Sequence, residues 1–246
     1  MARCELTHLP RTPIDIERVV AQHAGYERAL AQLGCAVRRL PAGDDLPDAV
    51  FIEDAAVVLD ELAVIMRPGA LARRAEVAPV ADALRAYRPL GRIEPPGTMD
   101  GGDVLRAGRT ILVGRSSRTN DAGIAQLTQL VAPHGYLVRA VEVRGCLHLK
   151  SAVTAVADHA LLANRAWIGD PGSHAALEPF EVIDVDPGEP GAANVARVGD
   201  RLLAAAAFPR TRERLEARGF AVVAVDVSEI AKAEGAVTCC SLLFTA

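Results

Sequence analysis

Apolar and polar positions recur along the chain in a repeating pattern. Asp54, Asp103, His148, Asn194 and Cys239 each open a stretch of apolar residues, a short polar turn and a second apolar run, at intervals of 49, 45, 46 and 45 residues. The clearest cases pair Asp54-Ala-Ala-Val-Val-Leu with Ala63-Val-Ile-Met, and Asp103-Val-Leu with Thr110-Ile-Leu-Val. Each reads as a two-stranded hairpin. Helices are predicted after these hairpins over 68–87, 120–131 and 211–217, with only a short helical piece in 169–179. A further short strand follows, as in 36–40 and 221–225.

The missing fifth helix is predicted at the start of the chain, over 13–33. Thr12-Pro13-Ile14-Asp15 carries a capping signal with proline at the first helical position. Ile16, Val19, Val20, Leu30 and Leu33 share a face, and Gly34 ends the helix. The last unit is then split, with its hairpin opening at Cys239 and its helix at the other end of the chain. A strand, strand, helix, strand unit cannot bury its own apolar face. Five of them around an axis share a core, and their opening residues converge at the centre.

Composition narrows the classes of function. A chain of 246 residues, half apolar and a quarter charged, can bury a sizeable core, and no linker divides it, so 1–246 reads as a single domain. A formal charge of -4 offers no basic field for nucleic acid. The start holds no apolar stretch of signal-peptide length, and the longest apolar run, 202–208, is too short for a bilayer. A soluble, cytoplasmic protein without a membrane or nucleic-acid partner is therefore expected. Five cysteines at irregular spacing form no paired C-x-x-C pattern, so reduced thiols and no structural metal or cofactor are expected.

Seven segments carry a resemblance that covers nearly the whole chain. They are Leu46-Pro-Asp-Ala-Val-Phe-Ile-Glu-Asp54, Arg67-Pro-Gly-Ala-Leu-Ala-Arg-Arg74, Met99-Asp-Gly-Gly-Asp103, Arg118-Thr-Asn120, Leu147-His-Leu-Lys150, Ala192-Ala-Asn194 and Gly235-Ala-Val-Thr-Cys-Cys240. In order and spacing the chain resembles the dimethylarginine dimethylaminohydrolases. These belong to the guanidino-group-modifying superfamily, which includes arginine deiminases, agmatine deiminases and amidinotransferases, all five-bladed α/β propellers (penteins). Arginine deiminases carry an additional helical insertion for which this chain has no room.

The resemblance implies hydrolysis of methylated arginine to citrulline and a methylamine, and the residue chemistry suits it. A guanidinium carbon is electron-poor but resonance-stabilised, so a polarisable thiolate is a better first nucleophile than water. Cys239 is the candidate. Adjacent residues on a strand point to opposite faces, which leaves Cys240 packing behind the site, and Cys35 reads as a buried small hydrophobe. His148 suits general acid and base work near neutral pH. Carboxylates are needed around a planar cation, and the resemblance implies Asp100 as the third catalytic residue, with Asp103 as the competing reading, and Glu53 and Asp54 in the guanidinium pocket.

For the amino-acid end of a substrate, the resemblance implies Arg73 and Arg118 as the carboxylate receptors, which the planar arginine fork suits. It also implies Asp48 at the α-ammonium, a backbone contact from Ala233, and a lid over 6–11 closed by Leu6 or Leu9. The expected partner is a small guanidino compound, with a homodimer through a blade edge left open. Arginine or another guanidino substrate, and a catalytically idle ligand-binding propeller, are the alternatives. A thiol redox or metal protein fits the Cys239-Cys240 pair but leaves the carboxylates and arginines unexplained.

Overall fold

The computed structural model describes residues 1, 3–41, 43 and 45–246. After the long N-terminal helix α1 (Ile16–Gln32), four modules of one design follow. The first comprises β1 (Ala56–Val58), β2 (Ala63–Ile65), α2 (Val77–Leu84) and β3 (Leu90–Arg92). The second comprises β4 (Val104–Ala107), β5 (Thr110–Arg115), α3 (Asp121–Val131) and β6 (Leu137–Glu142). A single helical turn, α4 (Leu149–Ala152), leads into β7 (Val153–Ala157), β8 (Ala160–Ala163), α5 (Pro171–Leu177) and β9 (Glu181–Asp184). The fourth module is β10 (Val195–Val198), β11 (Arg201–Ala205), α6 (Pro209–Glu216) and β12 (Ala221–Val225), and α7 (Ser228–Ala231) precedes the C-terminal turn.

Each module is a three-stranded sheet with its second strand in the middle. That strand pairs antiparallel with the first, as in Val104 opposite Val113, and parallel with the third, as in Leu112 opposite Arg139. The parallel pairing requires a crossover, which the helix supplies. Middle strands are covered on both faces and read as unbroken apolar runs: Ile111, Leu112 and Val113 are fully buried. In α3, Asn120 caps the first turn by accepting from Gly123 N, and Gly123, Ile124, Leu127 and Val131 bury one stripe.

Apolar clusters lie between successive modules. Val64 and Met66 of the first meet Ile111, Val113 and Leu127 of the second. Leu105 and Leu112 meet Val153 and Leu161, and Leu162 and Ile183 meet Leu202 and Leu215. The fourth module packs through Ala196 and Leu203 on Val19, Tyr26 and Leu30 of α1, with Phe51, Ile230 and Val237. A fully buried Leu or Ile contributes about 1.5–3 kcal/mol, so these seams hold the modules together.

Several expectations are corrected. Among the described residues, 36–40 and the segment after Cys239 form no strand, so the fifth sheet is absent and Cys239 lies in a turn over 237–240. An open cavity of about 1210 Å³ lies between α1, residues 35–41 and residues 240–246. Helix α1 begins at Ile16 because Asp15 caps it, accepting from Arg18 N, which leaves Pro13 outside. Ile16 and Val20 are 48% and 63% exposed rather than on the buried face. The helix expected over 68–87 is split into a 3-10 stretch, Leu71–Glu76, and the shorter α2. No helix among the described residues is long and apolar enough to cross a membrane.

Candidate active site

The residues that open the modules sit in the turns before each first strand. Asp54 lies in the 3-10 turn Ile52–Ala55, Asp103 ends the turn Gly101–Asp103, His148 caps α4, and Asn194 follows Pro190–Ala193. These turns are stitched to one another by main-chain and side-chain bonds. Glu53 N donates to Cys239 O at 3.1 Å, Gly102 N to Asp54 Oδ1 at 3.0 Å, and Leu149 N to Asp103 Oδ1 at 2.9 Å. Gly102 is required by close approach: a Cβ there would stand 2.6 Å from His148 Nδ1 and 2.8 Å from Asp54 Oδ1.

His148 is buried between carboxylates. Its Nε2 lies 3.1 Å from Asp100 Oδ2 and its Nδ1 3.8 Å from Asp54 Oδ1. Burial by itself lowers a histidine, but Asp54, the bond to Asp100 and the charge of Asp103 outweigh it and hold His148 up at about 9. It therefore carries a proton at neutral pH. Burial opposes the charge of Asp54 too, yet His148 and Arg73 bring that carboxyl down to about 2.

Asp100 is fully buried, and its Oδ1 accepts from Gly69 N at 2.9 Å. Asp103 is saturated by Leu149 N, Ser116 Oγ at 2.6 Å and Thr119 Oγ1 at 2.7 Å. It braces the turns rather than facing an open space. Burial raises its pKa, opposed by His148 and these donors.

Cys239 is half-buried, and its Sγ accepts from Ala236 N at 3.4 Å. Burial and the neighbouring carboxylates Glu53 and Asp54 push its thiol well above the ordinary cysteine value. Cys240 is buried in the cluster with Tyr26 and Phe51, where burial and then Glu53 push it to about 12. Cys35 is half-buried against the same cluster, so it does not reach the full burial expected of it.

Both carboxylate oxygens of Glu53 have donors. Lys150 Nζ donates to its Oε1 at 2.6 Å and Thr238 Oγ1 to its Oε2 at 2.7 Å. Thr238 is locked in turn by Asn194, which accepts from Thr238 N at 3.1 Å and donates from Nδ2 to Thr238 Oγ1 at 3.0 Å. This network fixes the residue immediately before Cys239.

The two arginines differ in what they have free. Arg73 is buried and engaged: Nη1 donates to Asp54 Oδ2, Nε and Nη2 to Glu76 Oε2 at 3.1 and 2.9 Å, and Nη2 to Phe51 O at 3.0 Å. Arg118 donates from Nη2 to Thr7 Oγ1 at 3.0 Å, while its buried Nη1 has no hydrogen-bond partner and stands 3.8 Å from Asp100 Oδ2. Asp48 is buried and accepts from Glu5 N at 3.3 and 3.1 Å. Of the two candidate lid leucines, Leu6 turns onto the apolar cluster and Leu9 is 48% exposed. Ala233 is buried in that cluster.

Asp54, Asp100 and His148 offer ligating atoms all within 4.8 Å of one another. Arg73 already neutralises Asp54, and His148 is protonated between the two carboxylates, so the cluster balances its charge without a cation.

No family model matches the chain. An N(G),N(G)-dimethylarginine dimethylaminohydrolase of Streptomyces coelicolor is 42% identical over 238 residues, covering 96% of this chain and 90% of that protein. The chain belongs to the dimethylarginine dimethylaminohydrolase family. A second dimethylarginine dimethylaminohydrolase, from Pseudomonas aeruginosa, is 34% identical over 232 residues, with 94% of this chain and 90% of that protein covered. A solved dimethylarginine dimethylaminohydrolase from Pseudomonas aeruginosa, a cysteine-to-serine variant complexed with citrulline, superposes with a TM-score of 0.91. It is 34% identical and covers 97% of this chain and 93% of that one.

Within this dimethylarginine dimethylaminohydrolase fold, Lys150, Thr238 and Asn194, to which the sequence pattern assigned no role, hold Glu53 and the residue before Cys239. Two signals were available: Lys150 lies two positions after His148, and Asn194 opens a module. Thr238 carries no local mark, because its partner Glu53 is brought to it by tertiary packing.

Proposed function

We propose that the chain hydrolyses N-omega-methylated arginine to citrulline and mono- or dimethylamine, with Cys239 as nucleophile, His148 as acid and base, and Asp100 as the orienting carboxylate. The observation that carries this reading is His148 held between Asp100 and Asp54, with Glu53 N, next to Asp54, donating to Cys239 O, in a chain whose family relatives bear this name.

The thiol is protonated in the resting site. A bound guanidinium adds the positive charge that favours its ionisation, and the thiol proton passes to solvent. The Cys239 thiolate then forms a C–S bond to the guanidinium carbon. His148 gives its proton to the departing amine as the C–N bond breaks, which leaves an S-alkylthiouronium on Cys239. Neutral His148 next takes a proton from water, whose oxygen attacks the same carbon. The hydroxyl loses its proton as the carbonyl forms, the C–S bond breaks, the sulfur leaves as thiolate and takes up that proton, and citrulline is released.

Glu53 and Asp54 are the carboxylates proposed to hold the guanidinium, with Lys150 and Arg73 orienting them. The free Nη1 of Arg118 is the proposed receptor for the substrate carboxylate, and Asp48 for the α-ammonium. Leu6 is the proposed lid residue, because it is the leucine that turns inward. The 45–49-residue spacing and the seam between the fourth module and α1 support a five-bladed α/β propeller, with the two terminal segments in place of the fifth blade. Five free thiols among the described residues fit the reducing cytoplasm.

The test is incubation with asymmetric dimethylarginine, monomethylarginine, arginine and agmatine, measuring ureido product and released amine. The methylated arginines are expected to give citrulline with dimethylamine or methylamine. No turnover of any of the four contradicts the proposal.

A further inference from the structure

Glu234 lies in the turn between α7 and Cys239, with a backbone φ of 59°, the left-handed conformation that side chains other than glycine, asparagine and aspartate seldom adopt. Its carboxylate collects three successive main-chain donors from the other end of the chain. Thr7 N donates to Oε2 at 2.9 Å, and His8 N and Leu9 N donate to Oε1 at 2.5 and 2.6 Å. Consecutive N–H groups converging on one carboxylate form an anion nest, and its bonds are charge-assisted.

The segment so held, residues 5–9, has other polar anchors of a different kind. Glu5 N rests on Asp48, and Thr7 Oγ1 accepts from Arg118. Both of those side chains are proposed substrate groups, so a bound amino acid competes with the segment for them. Glu234 is not in that competition. Its three bonds can persist while Asp48 and Arg118 change partners, and Leu6 stays on the apolar cluster beside Cys239.

We propose that Glu234 is a positioning residue that latches segment 5–9 over the substrate site and so tightens substrate binding without taking part in bond making. This rests on the functional reading of Asp48, Arg118 and Cys239 given above. A carboxylate on the turn that leads into the nucleophile also ties closure of the segment to the position of Cys239.

The experiment compares E234A, E234Q and E234D with the wild-type full chain, by steady-state kinetics on asymmetric dimethylarginine and by amide hydrogen exchange over residues 5–11. E234A is expected to raise KM about tenfold with kcat within about twofold, the size of effect expected when charge-assisted bonds of one carboxylate are lost. Exchange at residues 7–9 rises about tenfold in the same variant. E234Q keeps the side-chain size and is intermediate, and E234D recovers part of the loss. An unchanged KM with unchanged exchange overturns the proposal, as does a fall in kcat that follows a lowered melting temperature while KM stays constant. If the wild type turns over no guanidino compound, the functional reading fails by itself. Exchange in E234A and E234Q then decides the latch, and exchange equal to wild type overturns it.

Discussion

Lys150 is worth more as the partner of Glu53 than as a surface charge. Both side chains are largely buried at 2.6 Å separation, and removing one partner of such a pair leaves a carboxylate that water no longer solvates. Lys150→Met is therefore expected to lower stability by about 3 kcal/mol, measured by urea denaturation. The adjacent thiols should separate cleanly. Cys240 is packed among Tyr26 and Phe51, so Cys240→Ala is expected to keep turnover and cost about 1 kcal/mol in stability. Cys239→Ser should abolish turnover while substrate still binds, checked by kinetics and calorimetric titration. Cys239 and His148 stood out in the sequence because they open repeats, and Asp100 because the family resemblance implies it; the fold sets Asp100 3.1 Å from His148. The saturation of Glu53 and Arg73 was not legible, since Lys150 reaches Glu53 from another module and Asp54 reaches Arg73 across the hairpin of its own.

Hairpins and crossover helices were legible as elements wherever apolar runs were bounded by polar turns, as in β4, β5 and α3. Boundaries were set by caps that compete locally. At α1, Asp15 reaches Arg18 N and displaces the start expected at Pro13. The split after β2 arises where Arg73 bends back to Asp54 and Glu76, which favours a 3-10 turn over a regular helix start. In the turn Gly101–Asp103, Gly102 faces the His148 ring and Asp54, groups with no free direction of retreat. Gly102→Ala is expected to lower kcat by at least about tenfold and to cost stability of about 1–3 kcal/mol, read by steady-state kinetics alongside thermal unfolding.

Across the whole molecule, two titrations bound the pH range of stability. His148 is raised from its ordinary value to about 9, so its contribution is complete below about 6.5 and is lost as pH rises through about 9. Asp54 is held at about 2, so its contribution is complete above about 4 and is lost as pH falls towards 2. Stability should peak between those limits. Denaturation at pH 6 and pH 9 is expected to show a loss on the order of 2 kcal/mol in the wild type that His148→Gln does not show. The fourfold modular plan was legible from the spacing of repeat origins. The missing fifth sheet was not, because pairing between residues 36–40 and the C-terminus depends on how two ends of the chain meet rather than on either run alone. The central claim, a covalent route through Cys239, is tested most directly by the intact mass of enzyme acid-quenched during turnover of asymmetric dimethylarginine, followed by peptide mapping. The expected result is a mass increase equal to substrate less dimethylamine on Cys239, kept in Cys240→Ser and lost in Cys239→Ser. Citrulline formation with that adduct on Cys240, or with Cys239→Ser fully active, would contradict it.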